Sequence, residues 1–304
     1  VLGGGFAFGS PGGSWGSTRG DEYAAWSGIS VTGAAAAAAF LAWFAILARG
    51  SAPRGLRDLV AYAVGYGAQA GGYFLLLTGR YPSSDPALAV PFAELPEHPV
   101  RAVVTDDFER PRLTVVFRFL LAMPHLIWLT LWSVAAVLAV IAGWFATLFT
   151  GRLPATIHRF LAAYLRYSIH VIAYLYVLGR KFPGFTGRAG SYEVDLEIET
   201  PAAQSRWKTF FRLFLAIPAL LLASALGGVA FVVAFLGWWY AIAKGQMPVG
   251  LRNLGVACLR YSAQTYAYLM LLTDRYPYGA PVLEGRRDTE EMVPQPLLVS
   301  GDEL

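Results

Sequence analysis

Two arginines lie deep inside apolar segments of this chain, where a charged side chain is costly. Arg166 and Arg260 each follow a proline by 12 positions (166 − 154 and 260 − 248). At a rise of about 1.5 Å for each residue, each arginine would lie about 18 Å along a helix that begins at that proline. If the helix crosses a bilayer, a central arginine costs about 2.5–3.5 kcal/mol and should face protein or water rather than lipid.

Polar side chains follow these arginines by one helical turn. His170 comes four residues after Arg166, Gln264 comes four residues after Arg260, and Gln69 has the same place in an earlier segment. Residues four apart share a helix face, so the pattern predicts that all five point to a common interior. The cluster could line a polar pathway or bind an anionic ligand. It could equally join helices through hydrogen bonds to main-chain carbonyls.

No residue pattern indicates an enzyme, a cofactor or a metal site. His98, His125 and His158 fall in separate segments without ligand spacing, and we expect His98 and His125 at a surface or interface. Cys258 is the one cysteine, which excludes a disulfide within the chain. The sequence contains no phosphate-binding loop, nucleophile elbow or zinc-protease motif. A formal charge of +4 is modest, so we expect no nucleic-acid partner.

The polar cluster lies within an internal repeat. Segments 53–82, 154–183 and 248–277 each begin and end at a proline and align without a gap. Their opening prolines are 101 and 94 positions apart (154 − 53 and 248 − 154), which predicts three copies of one structural unit. We divide the chain into an irregular Gly/Ser-rich arm (1–25), a reduced two-helix copy (26–82), a linker (83–97), a full copy (98–183), a linker (184–190), a second full copy (191–277) and a polar tail (278–304).

Composition indicates a membrane protein. Hydrophobic residues make up 56% of the chain and charged residues 14%, with a mean hydropathy of +0.48. A soluble domain is about 25% charged. Each copy has two apolar stretches long enough to cross about 30 Å of hydrocarbon, so we predict an all-α polytopic membrane protein with six transmembrane helices in three hairpins. The expected spans are residues 26–48, 59–78, 124–149, 158–179, 218–243 and 252–273.

The two full copies have further elements before their hairpins. Residues 100–108 and 191–200 are candidates for short extramembrane β-strands, the second because it alternates apolar and acidic residues. Residues 112–123 and 206–217 resemble basic amphipathic helices that lie in the membrane interface. Their basic residues are candidate contacts for anionic lipid headgroups. These residues are Arg112, Arg118, Arg206, Lys208 and Arg212.

The hairpins also predict a topology. A two-helix unit returns to the side from which it entered, so the termini and strands should lie on one side and the hairpin turns on the other. Lys and Arg are more numerous on the strand side, which the positive-inside rule assigns to the cytoplasm. We therefore expect a multi-pass protein of the cell membrane with cytoplasmic termini.

Copies two and three share a motif: F-R-x-x-x-A-x-P, an apolar span, G-x-x-P and a later R-Y. The residues that form it are Phe117, Arg118, Ala122, Pro124, Gly151, Pro154, Arg166, Tyr167, Tyr174 and Pro183, and then Phe211, Arg212, Ala216, Pro218, Gly245, Pro248, Arg252, Arg260, Tyr261, Tyr268, Arg275, Tyr276 and Pro277. The pattern resembles a bacterial, largely actinobacterial, family of membrane domains of unknown function, family 4389. The chain would hold two full copies and a reduced one, in which Gly65 replaces the arginine before the tyrosine. The resemblance implies a fold and no activity.

These observations favour a non-catalytic structural or accessory subunit of a larger membrane assembly. Its expected partners are membrane lipid and other membrane-protein subunits or further copies of itself. Helix faces of small residues and an open strand edge support this hypothesis. Two alternatives stay open. One is a channel or transporter lined by the intramembrane Arg/His/Gln cluster, and the other is a protein that binds anionic lipid through the basic amphipathic segments.

Overall fold

The computed structural model describes residues 31–89, 97–105, 107–200 and 202–281. This part of the chain forms nine helices and two strands. In chain order they are α1 (Val31–Arg49), α2 (Arg54–Phe74), α3 (Pro86–Ala89), β1 (Val100–Val104), α4 (Arg112–Val116), α5 (Arg118–Thr150), α6 (Ala155–Leu175), β2 (Val194–Ile198), α7 (Arg206–Phe210), α8 (Arg212–Lys244) and α9 (Val249–Leu269).

The helices confirm the internal repeat. The long helices α5 and α8 each have 33 residues, and the second helices α2, α6 and α9 each have 21. Every bound of α8 and α9 equals the corresponding bound of α5 and α6 plus 94. The long helices end at Gly151 and Gly245, with φ of 72° and 73°. Glycine adopts this left-handed conformation without strain, which explains the glycine of each G-x-x-P turn.

The prediction of six transmembrane helices is wrong. In the described part of the chain, only α5 and α8 are long and apolar enough to cross a membrane. The second helices α6 and α9 are core helices, because twelve and fourteen of their 21 residues are buried inside the protein. A buried core helix and a membrane span are both apolar on most sides, so the sequence pattern did not separate them. Two candidate spans weakly indicate membrane association.

The prediction of separate interfacial helices is also wrong. Each predicted segment breaks at a phenylalanine, Phe117 or Phe211, into a short helix (α4 or α7) and the start of a long one. The long helices then continue through Pro124 and Pro218. A proline removes one helical hydrogen bond, and apolar helices of the membrane type tolerate that loss. The expected span from Pro124 therefore begins six residues earlier, at Arg118.

The two strands pair antiparallel, with Ala102 opposite Leu196 at the centre. These residues are equivalent in the two full copies, since 102 + 94 = 196, so a pseudo-twofold axis passes through the middle of the sheet. One face of the sheet, which includes Val100, Ala102 and Leu196, is buried, and the strands pack on α6 and α9. The opposite face has an exposed ion pair between Arg101 and Glu197 (3.1 Å).

Each full copy packs its first elements on the other copy. Strand β1 packs on α9, and β2 packs on α6. Equivalent hydrogen bonds close both ends of the interface: the Arg110 N–H donates to the Gly245 carbonyl, and the Gln204 N–H donates to the Gly151 carbonyl, both at 2.8 Å. The two copies therefore exchange their N-terminal arms, as the subunits of a symmetric dimer can.

The long helices run antiparallel. The indole of Trp144, near the end of α5, donates to the Thr209 carbonyl just before α8 (2.9 Å). The indole of Trp238, near the end of α8, donates to the Val115 carbonyl just before α5 (3.0 Å). The turn of each copy thus lies beside the arm of the other. The expected separation of turns and arms on opposite sides is therefore wrong, because each arm crosses to the other copy.

The reduced copy packs on copy three. Helix α1 packs along α8, and the second residue of both α2 and α9 is a glycine that approaches the other copy closely. A Cβ atom on Gly55 would lie 2.9 Å from the Gly279 nitrogen, and one on Gly250 would lie 2.7 Å from Ser84 Oγ. This interface is also reciprocal, because Gly55 and Ser84 are equivalent to Gly250 and Gly279. Copy two has Thr156 at the glycine position, so the spatial order of the copies is one, three, two.

Candidate functional site

Polar side chains of α6 and α9 meet the outer edges of the two-stranded sheet. Arg166 Nε donates to the Leu196 carbonyl (2.8 Å), and Gln264 Nε2 donates to the Val100 carbonyl (3.1 Å). The alternation of ladder bonds in an antiparallel pair turns both carbonyls away from the partner strand. Each second helix therefore caps the strand that packs on it.

A buried His–Asp pair adds to the cap on β2. His170 Nε2 lies 2.8 Å from the Asp195 carboxylate, and these residues are 0% and 8% exposed. The N–H groups of Leu196 (2.7 Å) and Gly190 donate to the same carboxylate. Burial raises the pKa of Asp195, but the hydrogen bonds from His170 and the two N–H groups outweigh burial and hold that pKa below 3.8. The carboxylate is charged at neutral pH and accepts all three bonds.

His98 caps the edge of β1. Its Nδ1 atom accepts the Val100 N–H at 3.0 Å. Burial lowers the pKa of His98 to about 4. The Val100 carbonyl, 3.1 Å from Nδ1, opposes this shift because it would accept a proton carried there, and the charges of Arg260 and Arg275 support the shift. His98 is therefore neutral at pH 7, with Nδ1 able to accept. It is 4% exposed, so the expected surface position is wrong.

Each sheet edge is thus closed at one of its outward-facing residues. At Val100 and at Leu196, both the N–H and the carbonyl have side-chain partners. A strand from another protein would have to displace these side chains before it could pair there. The open strand edge inferred from the sequence is therefore not open at these two residues.

The other two residues of the predicted cluster bond to different parts of the fold. Arg260 is 1% exposed and donates to the carbonyls of Tyr278 (3.3 Å) and Ala280, after α9. Gln69 is exposed and accepts the Ser83 N–H (3.0 Å), after α2. The five side chains therefore serve two sheet edges and two loops. Arg166, Arg260 and Gln264 bond main-chain carbonyls, as the alternative of structural hydrogen bonds expects, but these carbonyls belong to strands and a loop rather than to another helix.

The predicted lipid contacts differ in burial. Arg118 and Arg212 are each 2% exposed, and each donates to two carbonyls at the end of its own hairpin. Their guanidinium groups lie over the rings of Tyr174 and Tyr268, at 4.4 and 4.6 Å from the ring centres. These two arginines hold the hairpins closed, and their burial prevents contact with a headgroup. The exposed candidates are Arg112, Arg206 and Lys208.

Sequence reasoning missed several buried partners. Asp195 belongs to an alternating strand pattern, and nothing local links it to a histidine 25 positions earlier. Asp85 accepts a hydrogen bond from Asn253 Nδ2 (3.1 Å) and so connects copy one to copy three. His125 is 0% exposed, contrary to expectation, and its Nδ1 atom lies 2.8 Å from the Tyr167 hydroxyl. Only tertiary contacts identify these pairs.

The chemical options of the site are narrow. A histidine with an orienting carboxylate can act as a general base, but His170 is fully buried and a substrate could not reach it. Within the described ranges, no group of three or more His, Cys, Asp or Glu residues could hold a metal ion. Cys258 is buried. The polar side chains of this site therefore bond mainly to main-chain groups of the protein itself.

Comparison with known families agrees with the repeat. The sequence profile of a domain of unknown function, DUF4389, matches residues 112–186 and 206–280. The matched segments are the hairpins of copies two and three with their short preceding helices, so each full copy is similar to this domain. The resemblance stated from the motif is confirmed for copies two and three, and the match does not extend to the reduced copy. It assigns no activity. No curated protein and no solved structure matches the sequence.

Proposed function

We propose that this chain is a non-catalytic, membrane-associated protein that serves as a structural or accessory subunit of a larger membrane assembly. The supporting observation is the bare surface of α5. In the most apolar stretch of α5, 17% of the residues are buried inside the protein, whereas 44% are buried in the most apolar stretch of the equivalent helix α8. An uncovered apolar surface of this length supports contact with other membrane components.

Equivalent positions show the contrast residue by residue. Leu222 and Val229 of α8 are 1% and 3% exposed, on a helix that packs against α1. Their equivalents in α5 are Trp128, which is 44% exposed, and Ala135, which is exposed. Within the described part of the chain, no repeat covers this side of α5. The same helix surface is thus covered in one copy and bare in the other.

The partner we propose is a different membrane protein rather than another copy of this chain. Copies one and three meet through the close approach of Gly55 and Gly250. Thr156 has the equivalent place in copy two, and its side chain would collide in such an interface. A further repeat therefore does not fit copy two in the same way.

The fold favours α5 and α8 lying along the membrane rather than across it. Arg166, at the middle of α6, bonds the centre of β2, so the sheet lies near the mid-length of the helices. If the helices crossed the bilayer, the exposed Arg101–Glu197 pair would lie near the hydrocarbon centre. Each charge there costs about 2.5–3.5 kcal/mol. With the helices parallel to the surface, the ion pair can face water.

Labelling of the two turns distinguishes these arrangements. Single cysteines replace Arg152 and Gln246, which are exposed in the two turns, in a Cys258→Ala background. A membrane-impermeant maleimide should label both cysteines from the same side of sealed vesicles, because a flat molecule keeps both turns there. Labelling from opposite sides would show that α5 and α8 cross the membrane and would contradict the flat arrangement. A multi-pass topology is this second outcome, whereas the expected placement of all hairpin turns on one side does not fit long helices that cross the membrane antiparallel.

Photo-crosslinking tests the accessory role. A benzoylphenylalanine at Ala135 should crosslink in cells to one protein of defined mass, and that protein should co-purify at fixed stoichiometry in mild detergent. The matched control is the same substitution at the equivalent Val229, which is buried and should give only crosslinks within the chain. Adducts with lipid alone, together with a lone monomer in mild detergent, would refute the proposal.

The two alternatives differ in support. A channel or transporter would need Arg166, His170 and Gln264 to face a pathway. Instead, Arg166 and Gln264 bond to strand carbonyls, and His170 bonds to a carboxylate of β2. Binding of anionic lipid keeps support from the exposed Arg112 and Arg206. A groove elsewhere in the molecule supports that alternative more strongly.

A further inference from the structure

A groove of about 960 Å³ lies between α1 and α8. Its volume is near the upper end of small-molecule sites, which are about 300–1,000 Å³. The second half of α1, the first half of α8 and residues 274–279 after α9 enclose it. The lining is mainly apolar and includes Leu41, Phe44, Ala45, Phe214, Leu215 and Leu222. An apolar groove of this size can accommodate a hydrocarbon chain.

Basic residues also line this groove. Arg49 and Arg54 come from copy one, Lys208 and Arg275 come from copy three, and Asp274 is the one acid in the lining. Lys208 pairs with Asp274 (3.2 Å), and Arg275 donates to the carbonyl of Glu97. Arg49 and Arg54 are exposed, and neither has a hydrogen-bond or ion-pair partner among the described residues. Two cations beside an apolar groove complement an anionic headgroup.

We propose that this groove binds one anionic phospholipid, with an acyl chain on the apolar lining and the phosphate between Arg49 and Arg54. The inference rests on the lipid-binding alternative and not on the accessory role. Copy two lacks this charge, since its equivalent positions are Thr150 and Ala155, and copy three retains one cation, Lys244, with Val249 at the second position. The lipid would then join the reduced copy to copy three.

Native mass spectrometry of the full chain in detergent tests the proposal, with phosphatidylglycerol and phosphatidylcholine of identical acyl chains as probes. Wild-type protein should retain one phosphatidylglycerol and bind it more tightly than phosphatidylcholine. Each basic residue beside an anionic lipid contributes about fivefold in affinity, so the double variant Arg49→Ala, Arg54→Ala should bind phosphatidylglycerol about 25-fold more weakly. Its affinity for phosphatidylcholine should hardly change.

The matched control removes two exposed arginines from the turn region of copy two, Arg152→Ala with Arg159→Ala, and should leave binding unchanged. Ala45→Trp fills the groove and should weaken both lipids. Because that variant could misfold, phosphatidylglycerol with a photoreactive acyl chain is also applied to wild-type protein, and the adduct should map to α1 or α8. Equal losses from the two double variants, displacement of the lipid by inorganic phosphate, or adducts only on α5 would overturn the proposal. Crosslinking at Ala135 to a protein partner is a separate result, so each hypothesis can fail alone.

Discussion

Replacing Asp195 with alanine directly tests how the second helices cap the sheet. The carboxylate accepts hydrogen bonds from His170 (2.8 Å), from the Leu196 N–H (2.7 Å) and from the Gly190 N–H. His170 and Leu196 are 0% and 1% exposed, so their donors would be left buried without an acceptor. Gly190 is exposed and its N–H can bond to water instead.

The magnitude follows from these two buried donors. Each buried donor without a partner costs about 1–3 kcal/mol, so we expect Asp195→Ala to lose about 4 kcal/mol of unfolding free energy. In a chain of this size, that loss lowers the unfolding temperature by about 8 °C. Since the pKa of Asp195 is lowered in the folded protein, this stability is present at neutral pH. It is lost only in acid, as the pH falls below 3.8.

The measurement is thermal unfolding of the detergent-solubilised protein, followed by tryptophan fluorescence. Arg101→Ala is the matched control, because Arg101 has the equivalent place in β1 and its exposed ion pair contributes about 0–1 kcal/mol. His170→Gln should retain most of the stability, since Gln264 has the equivalent place in copy three. Equal losses from Asp195→Ala and Arg101→Ala would refute the capping role.

The same unfolding assay checks three further predictions. The free energy of unfolding should fall by about 3 kcal/mol as the pH falls from 6.5 to about 4, because burial lowers the pKa of His98 only in the folded protein. His98→Gln should flatten this pH dependence. Gly187→Ala should destabilise far more than Gly190→Ala. Both glycines have positive φ, which costs alanine about 1–2 kcal/mol, but only at 187 would the Cβ collide with the α6 main chain; similar losses would contradict that packing. Arg118→Ala and Arg212→Ala should each cost about 2–6 kcal/mol, because each change leaves two carbonyls without their donor, and a loss near zero for either would contradict the closure of its hairpin.

The sequence predicted the repeat and its helices well because their signals are local. Gly151 and Gly245 end the long helices in a left-handed conformation, and a proline precedes each second helix. Fixed offsets of 101 and 94 positions then imply that each copy folds alike. Strands also form within both segments proposed for them, at Val100–Val104 and Val194–Ile198.

The sequence identified several residues of the site but not the groups that they contact. Arg166, His170 and Gln264 drew attention because a charged or polar residue is costly in an apolar helix. Their partners lie on strands 30, 25 and 164 positions away, and no local pattern links residues so distant. The interpretation as one common interior failed for Arg260 and Gln69, because each bonds the loop after its own helix.

What the sequence determined by itself is the unit: a long apolar helix, a glycine–proline turn and a second helix, used three times. Tertiary structure decided which helices became core and which kept a bare apolar surface. The physical reason is that apolar residues enter a protein core or a membrane for the same free-energy gain, so composition cannot choose between them. The exchange of arms between copies two and three buried α6 and α9 beneath the sheet. Helix α1 of copy one covers part of α8, and no described element covers the same side of α5.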